Sequence, residues 1–274
     1  MEISKWLVTG DTHGDFSRFY AVNTDVPENE IWGIIILGDA GINYWLNTKD
    51  EILKHRIYNK YNKLCFYCIR GNHEERPSKI STMKLIWDNN VKGYVYYEPD
   101  YPNIKYFQDC GGEYIIGTYK TLIIPGAYSI DKYYRIERAK YGSYAGWFEE
   151  EQLTEKEREK IEISVFANRY DLILSHTCPQ KFQPIDLFLS GINQSMVDNS
   201  MEEWMDKIDE ITKYGVWLFG HYHRDRIQAP YVEMLYFNVI ELNKIIHRWS
   251  DYKLTGKLPN DIEKSPNWVE ENNK

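Results

Sequence analysis

Residues 32–39 read WGIIILGD, a branched apolar run that stops at a glycine and a carboxylate. Hydrophobicity unbroken by charge fits a strand buried on both faces, because a strand with one wet face alternates apolar and polar residues. The unit recurs as KWLVTGD (5–11), LCFYCIRGNHE (64–74), DLILSH (171–176) and VWLFGHYH (216–223). Helix-like stretches lie between the runs, at 49–63, 154–170 and 200–214. Two of them open with capping-box pairs, Thr154 with Glu157 and Ser200 with Glu203. Strand–helix–strand alternation with short connections predicts an α/β core with parallel strands.

The middle of the chain departs from this pattern. Residues 93–127 carry Pro and Gly-Gly turns between short aromatic and branched runs, and 226–242 look similar, so both read as antiparallel strands. Two stacked sheets follow, one mostly parallel and one mixed, with helices outside. The stretch after residue 250 is polar, with Pro259 and Pro266. It reads as a surface tail, giving one domain over 1–250 and a tail over 251–274.

The chain has 274 residues, enough for a sizeable core, with 15% aromatic residues that would line much of it. A net charge of −8 disfavours stable binding to nucleic acid, which needs a basic face. It does not exclude a phosphorylated substrate, since bound divalent cations would reverse the local field. No apolar run is long enough to span a membrane, and the N-terminus lacks the pattern of a signal peptide. Four cysteines do not make a disulfide framework, so a cytoplasmic setting is expected. Cys65 and Cys68 form a C-x-x-C inside a strand, where period-two geometry sends them to opposite faces as core residues.

Five of the seven histidines sit at the ends of the apolar runs: His13, His73, His176, His221 and His223. Asp11, Asp39 and Asn72 occupy equivalent places. Ligands bind beyond the carboxyl ends of strands in open parallel sheets, so these distant positions converge. The inventory is nitrogen and oxygen without thiolate, and larger than one ion uses. It fits two divalent ions about 3.5–4 Å apart, with Mn favoured and Fe or Zn possible.

The ordered series GDTHG, GD at 38–39, RGNHE, SH at 175–176 and GHYH resembles the calcineurin-like metallophosphoesterase superfamily. The resemblance covers residues 5 to about 240. It implies a mixed α+β fold, a four-layer α/β/β/α sandwich of two mixed sheets flanked by helices. It also implies that Asp11, His13, Asp39 and His223 hold one metal. Asp39, Asn72, His176 and His221 would hold the other, with Asp39 bridging. His73 matches the histidine that protonates or stabilises the leaving oxygen. The implied reaction is phosphate-ester hydrolysis by in-line attack of a hydroxide between the two metals.

RGNHE and GDTHG look like the protein serine/threonine phosphatase branch, but GDAGINYW (38–45) lacks that branch's second aspartate and its phosphate-gripping arginine. A substitute is sought in 127–148, where Arg135 would contact phosphate and Tyr133, Tyr134 or Trp147 would wall the pocket. Residues 179–199 would form a rim over the metals. Asp15 either orients an imidazole or caps the following helix. The expected activity is that of a phosphomonoesterase acting on phosphoproteins, nucleotides or small phosphate esters. A phosphodiesterase or nuclease is the alternative within the same chemistry, and a non-catalytic scaffold the alternative outside it.

Overall fold

A computed structural model describes residues 2–141, 146–166 and 168–266. In chain order the first elements are β1 (Lys5–Thr9), α1 (Phe19–Asp25), β2 (Trp32–Ile36), α2 (Thr48–Lys60) and β3 (Leu64–Cys68). Then come β4 (Lys84–Asp88), β5 (Gly93–Tyr97), β6 (Ile104–Phe107), β7 (Gly112–Ile116), β8 (Tyr119–Ile124), α3 (Lys132–Ala139) and α4 (Glu155–Val165). The last are β9 (Arg169–Ser175), α5 (Ser200–Ile211), β10 (Lys213–Phe219), β11 (Arg226–Ala229), β12 (Val232–Met234), β13 (Ile240–Glu241) and α6 (Leu242–Thr255).

The strands form two sheets, ordered β13-β1-β2-β3-β6-β5-β4 and β11-β12-β10-β9-β8-β7. Both are mixed. Each has a parallel centre, β1-β2-β3-β6 in one and β12-β10-β9-β8 in the other, with antiparallel strands at its edges. This replaces the division into one mostly parallel and one mixed sheet and agrees with the two mixed sheets that the resemblance implies. The 93–127 stretch is not a sheet of its own: β5 and β6 extend the first sheet, and β7 and β8 the second.

Alternation along each strand builds the layers. Trp6, Val8, Ile35, Leu37, Leu172, Leu174, Val216 and Leu218 point into the space between the sheets. Their neighbours Leu7, Ile34 and Ile36 face outward onto Phe19, Ile57 and Tyr61, on or beside α1 and α2. Ile173, Trp217 and Phe219 face α4 and α5, through Ile161, Val165, Met201, Met205 and Ile208. The result is helix, sheet, sheet, helix. Each fully buried Leu or Ile contributes about 1.5–3 kcal/mol relative to exposure, which is why both faces of the central strands are apolar. Cys65 joins the inner layer and Cys68 the outer, as period two requires.

Thr154 and Glu157 do form a capping box on α4. The expected box on Ser200 does not form, because α5 starts at Ser200 with Asn199 as its N-cap. The boundary expected at 250 falls inside α6, whose Leu242, Ile245, Trp249 and Tyr252 close one end of the inner core. Leu258 and Ser265 are buried beyond it, and 267–274 lie outside the described residues. Among the described residues no helix is long and apolar enough to cross a membrane.

Candidate metal centre and active site

The expected site residues stand immediately beyond the carboxyl ends of β1, β2 and β3 in one sheet, and of β9 and β10 in the other. The site therefore lies on the seam where the two sheets meet. Two glycines show how tightly the seam is closed. A Cβ on Gly38 would stand 1.9 Å from His176 Nδ1, and one on Gly71 would stand 1.9 Å from Asp39 Oδ1. Each glycine leaves the space that the next strand's side chain fills.

Three groups of acidic and imidazole side chains converge: Asp11 with His13 and His223, His13 with Asp39 and His73, and Asp11 with Asp39 and His176. His223 Nε2 is 3.3 Å from Asp11 Oδ2, and His13 Nε2 is 2.9 Å from His223 Nε2. Asp39 is shared: its Oδ1 lies 3.7 Å from His176 Nε2 and its Oδ2 lies 3.9 Å from His73 Nδ1. Its Oδ1 also accepts the His73 backbone N–H at 2.9 Å. His221 is fixed by its own backbone N–H, which donates to Asp11 Oδ1 at 2.9 Å, and its ring lies 5.0 Å from that of His176.

The donor orientations test whether these residues suit a cation. His176 Nδ1 donates to the Leu37 carbonyl at 2.8 Å, which in the neutral ring that a ligand must be leaves the lone pair on Nε2. That lone pair faces Asn72 Oδ1 at 2.8 Å. The amide cannot turn over to relieve the contact. Its Nδ2 donates to Ser129 Oγ at 2.8 Å, and the Ser129 hydroxyl is spent on Glu151 Oε2 at 2.5 Å. Two acceptors thus point at each other, the arrangement a shared cation resolves. Asp11 Oδ2 is likewise buried, with the His223 and His13 ring nitrogens 3.3 and 3.7 Å from it, an oxygen open to a cation shared with those rings.

Charge states agree. Burial opposes ionisation of Asp11 and Asp39, yet the surrounding histidines hold both carboxyls below the usual range. Burial, with His176 close by, pushes His221 down to about 3, so its imidazole is neutral, as a ligand must be. His223 goes the other way, its hydrogen bond to Asp11 raising its pKa, so a metal bound there would displace a proton. The residues therefore fit divalent ions bound by mixed carboxylate, imidazole and amide oxygen.

Arg135 is brought to the site, and the two tyrosines are not. Arg135 is only 5% exposed on α3. One guanidinium nitrogen is 2.5 Å from His73 Nδ1, Nε donates to both Asp131 oxygens at 2.8 Å, and the other nitrogen donates to the Tyr44 hydroxyl at 3.3 Å. Tyr133 and Tyr134 are 68% and 53% exposed and line neither cavity beside the site. Read as loop, 127–148 gives no facing; as helix α3 it turns Arg135 inward and its two predecessors outward. Residues 142–145 of that stretch lie outside the described residues. Asp15 accepts the Ser17 backbone N–H at 2.9 Å, a local turn ahead of α1 rather than an imidazole partner.

The sequence reading missed Ser129, Asp131, Glu151, Tyr44 and Glu74. Glu74 follows directly on GNH, and its carboxyl accepts the Gly41 N–H at 2.6 Å, tying the β2 and β3 loops together. Burial, then the Asp39 charge, pushes it up to about 8.

A family model for calcineurin-like phosphoesterases matches residues 4–225. The chain belongs to the calcineurin-like phosphoesterase family. All five strand-end motifs lie within the matched span. Among solved structures the chain is similar to a phosphopantetheinyl hydrolase from Mycobacterium tuberculosis. That likeness has 11% identity, 85% of this chain and 88% of the other covered, and a TM-score of 0.41. No curated protein matches. The family makes the protein a metal-dependent phosphoesterase, and its site supplies Asp and His groups able to hold the metal.

Proposed function

We propose that the protein is a phosphomonoesterase that works with two divalent metal ions, Mn²⁺ foremost, in the cytoplasm. One ion is held by Asp11, His13, Asp39 and His223, the other by Asp39, Asn72, His176 and His221. The observation that carries this reading is the opposed pair of acceptors, Asn72 Oδ1 and His176 Nε2, 2.8 Å apart beside the shared carboxylate of Asp39. When bound, the ions supply Lewis acidity and a hydroxide nucleophile at neutral pH.

The chain's own residues supply the rest. A guanidinium is always a donor, so Arg135 makes His73 Nδ1 an acceptor and leaves the ring proton on Nε2. His73 Nε2–H is then the donor offered to the leaving oxygen. On one side of the site a cavity of about 520 Å³ is lined by His13, Tyr44, Lys49, His73 and Arg135. Arg135, held by Asp131, and Lys49, which lies over the Trp45 ring at 3.6 Å, offer positive charge to the dianionic phosphoryl group of a monoester. Asp131 holds Arg135 in place from the same helix.

The diesterase reading has one observation in its favour: a second cleft, of about 370 Å³, adjoins the site and could take a second ester group. A panel of 4-nitrophenyl phosphate, bis(4-nitrophenyl) phosphate, nucleotides and a phosphopeptide, with Mn²⁺ added, separates the readings. We expect kcat/KM for the monoester to exceed that for its bis ester at least tenfold. The reverse order would establish a diesterase. No hydrolysis, together with no bound transition metal, would leave a scaffold.

A further inference from the structure

We infer that the 370 Å³ cleft receives the organic group of the phosphate ester, and that this group is apolar, carries an amine and bears no second anion. This rests on the phosphoesterase reading and narrows it to a substrate class.

The cleft is continuous with the site, since Asp39, Asn72, His73, His221 and His223 form one end of it. Its far wall is Leu187, Phe188, Ile192 and Val197, from the connection between β9 and α5, with Tyr222 beside them. Phe188 stacks on Tyr222 at 6.4 Å, fixing the wall to the strand end that carries His221 and His223. The connection is pinned at its start by ion pairs, Lys181 with Asp209 at 2.5 Å and Arg226 with Asp186 at 2.7 Å. An apolar wall next to a phosphate site takes the uncharged part of a substrate.

Glu202 supplies the polar specificity. It lines the cleft from the first turn of α5 and is 3% exposed. Oε1 accepts the Thr177 hydroxyl at 2.9 Å, whereas Oε2 is buried and accepts no hydrogen bond. Burial pushes this carboxyl up to about 7, as no cation offsets its charge. This unpaired carboxylate oxygen lies just beneath the cleft wall, where a donor on the ligand would satisfy it. Asp198 also lines the cleft, as does Asp131, whose charge Arg135 offsets, and none of the described residues lining it is Lys or Arg. The field therefore favours an ammonium donor and repels a second phosphate or a carboxylate. The pocket that holds Arg135 and Lys49, with Asp39 and Asp50 also in its lining, is on the other side of His73, so the phosphoryl and organic groups have separate ends of one site.

The test uses 4-(ω-aminoalkyl)phenyl phosphates with arms of one to four carbons, against 4-alkyl and 4-(ω-carboxyalkyl) esters of equal length. We expect the best amine to show a KM at least tenfold below its carboxylate counterpart, with the alkyl ester between them. Glu202→Gln should raise KM for the amine at least fivefold more than it raises KM for the alkyl ester. Equal KM values across the three series, or an equal shift of all three in the variant, would overturn the inference. Should the variant not fold, the wild-type ranking decides alone. Calorimetric binding of the corresponding free phenols to the Mn²⁺-loaded protein gives the same ranking without catalysis. If no ester is hydrolysed yet the aminoalkylphenols bind best, the phosphomonoesterase reading falls and the cleft assignment stands. If the phenols bind without discrimination, the cleft assignment falls.

Discussion

Replacing Gly38 with alanine tests whether the seam between the sheets holds the metal ligands in register. Gly38 has φ +102°, and an added Cβ would lie 1.9 Å from His176 Nδ1, 2.4 Å from Cγ and 2.7 Å from Cε1. Ordinary carbon contacts begin near 3.4 Å, so the ring must retreat by about 1.5 Å. It has nowhere to go without loss: it is fully buried, with Nδ1 on the Leu37 carbonyl and Nε2 against Asn72. The positive φ adds about 1–2 kcal/mol of backbone cost. A misplacement of 1 Å can cost about 10²-fold in rate, so Gly38→Ala should lower kcat on 4-nitrophenyl phosphate by about 10²-fold or more. Elemental analysis after Mn²⁺ loading should find about one ion per chain in place of two, with the far-ultraviolet circular dichroism unchanged. Gly14→Ala is the control. It has φ +82°, but its Cβ would meet Leu53 Cδ2 at 3.4 Å and the Gly41 carbonyl oxygen at 3.7 Å, both ordinary contacts, so it carries backbone strain without the clash. It should lose stability of about 1–2 kcal/mol and keep both ions. Full metal loading and a kcat within twofold of wild type in Gly38→Ala would refute the placement of His176 in the site.

His73→Ala should slow alkyl phosphates by about 10²–10³-fold and 4-nitrophenyl phosphate much less, because a good leaving group needs little help from Nε2–H. Equal losses on both would remove His73 from that role. Arg135→Ala should raise KM for a small phosphate ester by about tenfold or more, the scale of a charge-assisted hydrogen bond. Arg135→Lys should rescue this only in part, since a single ammonium cannot span Asp131, Tyr44 and His73, and an unchanged KM would refute the contact. Stability should depend on pH through Glu202. Its folded pKa of about 7 lies above the ordinary carboxylate value of 4.5, so the folded state holds the extra proton between them. Wild type therefore loses stability as pH rises from 5 to 8, by about 2–3 kcal/mol relative to Glu202→Gln, in urea unfolding measured at both values. Parallel pH profiles would show the carboxyl to be offset by a partner.

The strand ends were legible because two periodicities coincide there: an apolar run too continuous for a half-wet strand, then a glycine and a ligating side chain. How the runs divide between the sheets was not. WGIIILGD and DLILSH are chemically alike, yet β2 and β9 lie in different sheets, because both faces of each are covered and neither carries a polar mark of its layer. Glu202 was hidden by its neighbour. In SMEEWMDKIDEI two glutamates stand side by side, and only the facing of Met201, Met205 and Ile208 toward the sheet tells which of them turns inward. Arg135 stands out in the sequence by its charge among aromatics, but a loop reading assigns no face and so cannot separate it from Tyr133 and Tyr134, which α3 turns outward.

Backbone strain links the fold to the site. Among the described residues seven that are not glycine have positive φ, and four of them are His13, Asp39, His221 and His223. Each such conformation costs about 1–3 kcal/mol and persists only where surrounding contacts over-determine it. Here the contacts are those that aim the proposed ligands: His13 N–H on the Asp39 carbonyl at 2.8 Å, His73 N–H on Asp39 Oδ1, and His221 N–H on Asp11 Oδ1. The chain turns left-handed directly after a strand, so that a side chain which would otherwise continue the strand's alternation points across the seam instead. Two sheets packed face to face supply the burial that sustains several kcal/mol of strain. A single open sheet would place Asp11, Asp39 and Asn72 along one edge, without His176, His221 and His223 opposite them. The second sheet is therefore part of the site's chemistry as much as of its stability.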